Sequence, residues 1–172
     1  MSSRTATNSR TKHSFPVLAL IDALDNNDDE LIEAAVDLVK ELKESRAIVP
    51  LIHLLENSPW YLIRGVAADT LGMIGDKQAV GALIRSLDDP GDWSVRSCAA
   101  YALAQIGDRR AADALARKLS DENKNVRYAA AKALVALGDK RATPTLVALR
   151  DCTDYMLRTG AREALDNLGY VA

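Results

Sequence analysis

The stretch Val95-Arg96-Ser97-Cys98-Ala99-Ala100-Tyr101-Ala102-Leu103-Ala104-Gln105-Ile106-Gly107-Asp108 decides the reading of this chain, because the chain repeats it. Thirty-one residues on, Val126-Arg127-Tyr128-Ala129-Ala130-Ala131-Lys132-Ala133-Leu134-Val135-Ala136-Leu137-Gly138-Asp139 carries the same skeleton. Thirty-two residues earlier stands Ile63-Arg64-Gly65-Val66-Ala67-Ala68-Asp69-Thr70-Leu71-Gly72-Met73-Ile74-Gly75-Asp76, and a weaker copy runs from Leu157-Arg158 to Leu168-Gly169. One arginine, one small-residue pair and one Gly-Asp per period of this length is the mark of a helical solenoid.

Each unit reads as a helix pair. Val126, Ala130, Ala133, Leu134 and Leu137 recur at steps of three and four residues, which is one face of a helix. The alanine pairs Ala67/Ala68, Ala99/Ala100 and Ala130/Ala131 keep that face thin, so a neighbouring helix can come close. Gly75, Gly107 and Gly138 supply the left-handed residue that ends a helix, and Asp76, Asp108 and Asp139 supply an acceptor for the next N-terminus. The partner helices read from Ala79 to Leu87 and from Ala111 to Leu119. No unit buries its stripe alone, but stacked units do. The expected fold is therefore all-α, a right-handed α-solenoid of about five helix pairs.

Composition bounds the function. Apolar residues make up 48% of the 172, enough for a continuous core. A net charge of −2 gives no general affinity for nucleic acid, and no run reaches transmembrane length, so a cytoplasmic protein without membrane attachment is expected. Cys98 and Cys152 lie in different units without CxxC spacing and read as reduced thiols. His13 and His53 are isolated, no glycine-rich phosphate loop occurs, and no catalytic residue, metal ligand set or cofactor is expected.

In chain order, residues 1–14 are rich in Ser and Thr, carry Arg4, Arg10 and Lys12 without an acid, and read as a disordered tail. Residues 15–172 form the repeat domain, with units at about 15–47, 48–79, 80–111, 112–142 and 143–172. The first unit has Ile32 in place of the arginine and holds nine acids against three bases from Asp22 to Arg46, the composition of an acidic terminal cap. Ser58-Pro59 reads as the start of a second helix, and Arg162 opens the alanine pair of the last unit to solvent.

The V-R-x-x-A-A-x-A-L-x-x-I-G-D core resembles the HEAT family of helical repeats, and within it the short type first associated with phycobilin lyase subunits. The likeness covers about residues 15–172. It implies that Arg64, Arg96, Arg127 and Arg158 form a structural ladder with acids or carbonyls of adjacent units, the acids here being Asp89, Asp121 and Asp151. It also implies that the second helices line a concave surface. Trp60, Tyr61, Trp93 and Tyr155 then lie along one rim, and Asp69, Cys98, Tyr101, Gln105, Tyr128, Lys132 and Glu163 lie on the inner face.

Tyrosine and tryptophan pair large contact area with a polar handle, as interface anchors do. The expected function is a non-catalytic scaffold or adaptor that holds a partner protein or peptide on this face. The alternative implied by the resemblance is a phycobilin lyase-type, bilin-handling subunit of the phycobilisome pathway, with a phycobiliprotein or a second HEAT-repeat subunit as partner. In that case alone the protein would be an enzyme. The aromatics would hold the tetrapyrrole, Lys132 its propionates, and Asp69 its ring nitrogens.

Overall fold

The computed structural model describes residues 47–170. The expectations for the tail at 1–14 and for the acidic first unit before Ala47 lie outside the described residues. Those that are described form four helix pairs with no strand among them. The pairs are α1 (Ile48–Asn57) with α2 (Tyr61–Ile74), α3 (Val80–Ser86) with α4 (Trp93–Ile106), α5 (Ala112–Lys118) with α6 (Lys124–Ala136), and α7 (Thr143–Arg150) with α8 (Tyr155–Asn167).

The Gly-Asp dipeptides make the joints between pairs. Gly75, Gly107, Gly138 and Gly169 follow the second helices at φ between 66° and 76°, which ends each helix where an L side chain would be strained. The following aspartate caps a single 3₁₀ turn that leads into the next first helix: Asp76 accepts from the Gln78 amide, Asp108 from Arg110 and Asp139 from Arg141. Inside the first pair the cap differs from the sequence reading. Ser58 ends α1, and its hydroxyl accepts only from the Trp60 amide at 3.3 Å, so Ser58-Pro59 does not cap α2. The second helices that do carry a side-chain cap use Asp92, Asn123 and Asp154.

A single apolar layer runs between the two rows of helices. Leu55, Leu71, Leu83, Leu87, Leu103, Leu115, Leu134 and Leu146 are fully buried within it. The alanine pairs vanish completely from solvent and let the second helices stack closely. Gly72 shows how closely: a Cβ there would lie 2.7 Å from the Ala102 Cα on the next second helix. The second helices α2 and α4, and α4 and α6, share far more contact than successive first helices do, while α6 and α8 share little more.

Candidate partner-binding face

Two edges of the array hold its units in register. On the edge formed by the turns inside each pair, Arg64 donates from Nε to Asp89 Oδ2 at 2.8 Å and from Nη2 to Asp89 Oδ1 at 3.1 Å. Its Nη1 reaches back to the Ser58 carbonyl at 2.9 Å. Arg96 repeats the arrangement with Asp121 at 3.1 and 3.0 Å and the Asp89 carbonyl at 3.1 Å, and adds Glu122 at 3.3 Å. A planar fork satisfies several half-buried acceptors at once, which an ammonium could not do in one geometry.

The next two arginines keep only the backward half of this pattern. Arg127 donates to the Asp121 and Glu122 carbonyls at 2.8 and 3.0 Å, and Arg158 to the Cys152 carbonyl at 3.2 Å. Here the sequence reading is corrected: Asp151 does not serve Arg127. Its side chain is 69% exposed and meets only its neighbour Arg150, at 3.6 Å. The acids that do serve lie 25 residues after their arginines. Twenty-five residues after Arg127 stands Cys152, whose thiol donates to the Asp154 carbonyl at 3.5 Å.

Burial pushes the Asp89 and Asp121 carboxyls up, yet both end below the usual carboxylate range. For Asp89 the Arg64 hydrogen bond, the Asp92 and Gly91 amides and the Arg64 charge outweigh desolvation. For Asp121 the Arg96 hydrogen bond, the Asn123 amide, and the Arg96 and Lys118 charges do so.

The second helices carry a different kind of row. Asp69, Tyr101, Lys132 and Glu163 each stand five residues after the ladder arginine of their helix, so they are equivalent under the repeat. The Cys98 thiol lies 3.6 Å from Asp69 Oδ2, and burial, then the Asp69 charge, pushes it up to about 12. Such a thiol stays protonated and is not a nucleophile. Tyr101 and Tyr128 are half-buried against the core, so they support the stacking. Burial, followed by the Tyr101 and Glu163 fields, raises the Tyr128 hydroxyl to about 12. Tyr128 lies so close to Gly160 of α8 that any side chain there would overlap its hydroxyl and Cζ. The Lys132 ammonium sits 5.8 Å from the Tyr128 ring centre. Gln105 is exposed one turn beyond Tyr101.

Trp60, Tyr61, Trp93 and Tyr155 stand at the starts of second helices and are 55%, 45%, 43% and 67% exposed. Met156 and Leu62 extend the same rim. Shallow clefts separate these turns, one bounded by Pro59, Arg64 and Pro90, the other by Trp93, Arg96 and Asn123. No group of three or more His, Cys, Asp or Glu side chains is placed to hold a metal among the described residues.

The sequence profile described as HEAT repeats matches residues 17–104 and again 90–166. The chain belongs to the HEAT-repeat family. No curated protein matches it in sequence. Among solved structures, the complex of CpcE and CpcF of phycocyanin lyase from Nostoc sp. PCC7120 aligns with a TM-score of 0.74 at 26% identity, covering 98% of this chain and 69% of that one. Human deoxyhypusine hydroxylase in complex with glycerol aligns at a TM-score of 0.57 and 23% identity, over 88% of this chain and 63% of that one. A designed armadillo repeat protein in complex with peptide (KR)4 aligns at 0.60 and 19%, over 92% and 84%. These last two share the fold alone.

This HEAT array has a second ladder that the repeat pattern did not announce, on the Gly-Asp edge. Arg110 and Arg141 each chelate the capping aspartate two residues before them, and Arg141 also reaches Asp113 of the preceding unit at 2.8 Å. Arg110 donates to the Lys77 carbonyl at 3.2 Å and Arg109 to the Leu137 carbonyl at 3.3 Å, so both bridge neighbouring units. A base two residues after the aspartate of Gly-Asp was the available signal.

Proposed function

We propose that this HEAT-repeat chain is a non-catalytic scaffold that holds a partner protein or peptide along the inner face of α2, α4, α6 and α8. The observation that carries the reading is the row at Asp69, Tyr101, Lys132 and Glu163. Positions equivalent under the repeat agree wherever stacking requires it, at the arginines and the alanine pairs. In this row they carry an acid, a phenol, an ammonium and an acid. Stacking does not ask for that variety, whereas recognition of an asymmetric partner does. The exposed rim of Trp60, Tyr61, Trp93 and Tyr155 supplies the large amphipathic contacts that anchor an interface. Four units of curved surface can offer the ~800 Å² per partner that a specific contact uses.

Affinity capture with the Tyr101→Ala/Lys132→Glu double variant tests this. Partners held by the wild type should be lost, and equal capture by both proteins removes the inner face from the function.

Likeness to the phycocyanin lyase complex supports a second reading, a bilin-handling subunit that acts on a phycobiliprotein or beside a second HEAT-repeat chain. Tyr101, Tyr128 and Lys132 then flank the tetrapyrrole. Mixing the protein with a free bilin should shift and sharpen its visible band, and an unchanged spectrum at high micromolar protein rejects this second reading.

A further inference from the structure

The incomplete half of the arginine ladder selects the kind of group that fits this edge of the array. We infer that the Arg127 fork is a docking point for a carboxylate of a partner protein. An aspartate or glutamate side chain with an apolar neighbour gives in trans what Asp89 and Asp121 give within the chain. The inference rests on the scaffold reading above, but it adds a contact at the turns inside the helix pairs, away from the row at Tyr101 and Lys132.

The backbone fixes the register. The Asp89 carbonyl accepts from Arg96, the Asp121 carbonyl from Arg127 and the Cys152 carbonyl from Arg158, at 3.1, 2.8 and 3.2 Å. These three residues are therefore equivalent. The side chains of the first two hold Nε and Nη2 of the arginine one unit earlier, through both carboxylate oxygens. At the third the side chain is a thiol, which donates to the Asp154 carbonyl at 3.5 Å. A guanidinium is planar, so anchoring one edge sets the direction of the other. Arg127 has Nη1 anchored on main-chain carbonyls, as Arg64 and Arg96 do. Its Nε and Nη2 donors meet no acceptor among the described residues. That edge has the spacing of two parallel N–H groups, which a carboxylate matches and a thiol does not.

Charge selects the same group. The acids nearest in sequence are engaged elsewhere: Glu122 with Arg96 at 3.3 Å, Asp154 with the Lys124 ammonium at 2.9 Å and Asp151 with Arg150 at 3.6 Å. Arg158, anchored on the Cys152 carbonyl, likewise meets no acid among the described residues. Arg127 and Arg158 thus put two positive charges on this end of the edge, where Arg64 and Arg96 are each matched by an acid. An acidic group is drawn there and a basic one repelled. The Arg158 guanidinium lies 5.7 Å from the Tyr155 ring centre, and Tyr155 and Met156 are 67% and 75% exposed. A residue next to the docked acid therefore meets a ring and a thioether, which favours an apolar side chain. Arg127 is itself half-buried, so pairing costs it less hydration than a fully exposed arginine would lose.

The probe is the acetylated, amidated peptide GLDLG, whose only charge is its aspartate, with GLNLG as the neutral control. NMR of the isotope-labelled full chain follows binding up to millimolar peptide and reads the Nε–H signal of Arg127. GLDLG should shift that signal, and GLNLG should bind about tenfold more weakly, as befits a charged pair between the exposed and buried limits. Cys152→Asp sets a carboxylate of the chain itself beside the fork and should weaken GLDLG about tenfold, whereas Cys152→Ser should bind like the wild type. No response to GLDLG, no preference over GLNLG, or equal binding to Cys152→Asp and wild type overturns the inference. Inorganic phosphate at the same concentrations tests for a plain oxyanion site, and a stronger Arg127 response to phosphate than to GLDLG rejects a partner side chain as the occupant. The scaffold reading is judged separately by the capture experiment. Captured partners that depend on Tyr101 and Lys132 but are held equally by Cys152→Asp leave that reading in place and sink only this contact.

Discussion

Completing the broken rung of the arginine ladder is the sharpest test of how this array is held together. In Cys152→Asp a carboxylate takes the position that Asp89 and Asp121 occupy relative to Arg64 and Arg96, 25 residues after Arg127. Arg127 spends one nitrogen on the two carbonyls behind it, and among the described residues it meets no acid. Its guanidinium has already lost part of its hydration, so a new partner does not incur the full desolvation of both ions. The existing rungs are well shielded, with side chains 13% and 10% exposed for Arg64–Asp89 and 10% and 5% for Arg96–Asp121.

Hydrogen bonds to charged groups contribute about 1.5–3 kcal/mol when buried, and exposed ion pairs about 0.2–1. A half-buried bidentate rung, less the desolvation of the added carboxylate and the loss of the thiol contact to Asp154, should net about 1 kcal/mol. For a chain of this length that raises the melting temperature by about 2–4 °C. Thermal unfolding followed at 222 nm measures it, and repeating the substitution on Arg127→Ala supplies the cycle. The gain should vanish in that background. A Cys152→Asp protein that melts lower than wild type, or one whose gain survives without Arg127, refutes the rung.

Two further outcomes follow from the described contacts. Gly160→Val should clash with the Tyr128 ring and cost about 1–3 kcal/mol, seen as faster hydrogen exchange in α8, and most of that loss should return in Tyr128→Ala/Gly160→Val; a fully stable single variant would show that the ring does not sit there. Acid should weaken the array through Asp89 and Asp121, whose carboxyls are held low. Groups depressed in the folded state contribute their stability above the unfolded pKa of about 3.9, and lose it as pH falls through the folded value. Stability should therefore hold level from pH 7 to about 5 and fall below about 4. Asp121→Asn should be less stable at neutral pH and fall less steeply in acid; an unchanged slope would mean that Asp121 does not titrate out of the ladder.

The fold was legible because stacking imposes the same demand on every unit. A thin face, a left-handed stop and an acid to restart the chain must return at each period, so Gly75, Gly107 and Gly138 and the alanine pairs announce themselves by spacing. The ladder was legible only in part. Asp151 was the nearest acid in sequence, but the unit is one residue out of step there, and the residue in register is a cysteine. Composition cannot reveal a missing rung, because the arginine survives without its acid. The Gly-Asp edge stayed hidden for the opposite reason. Apart from Arg141 with Asp113, its bridges run from Arg109 and Arg110 to main-chain carbonyls, which every sequence offers and none advertises. Likewise the overlap that Tyr128 would make with any side chain at position 160 needs two helices in place before it exists.

Placing the ladders at the two edges has a consequence for the face between them. Both edges tie unit to unit through forks and main-chain carbonyls, and the alanine pairs fill the seam beneath. Lys132 and Glu163 take no part in either ladder and stand clear of the arginine column by more than a full helical turn. Residues released from stacking can differ from unit to unit at small cost, since exposed substitutions away from such features usually change stability by less than about 0.5 kcal/mol. Tyr128 marks the limit of that freedom. It stands one residue after the ladder arginine, close enough to the next helix that position 160 must be glycine beside it, so its identity is partly a stacking decision. In the row four residues further along the same helices the four units diverge into an acid, a phenol, a base and an acid, and there the base and the last acid are exposed.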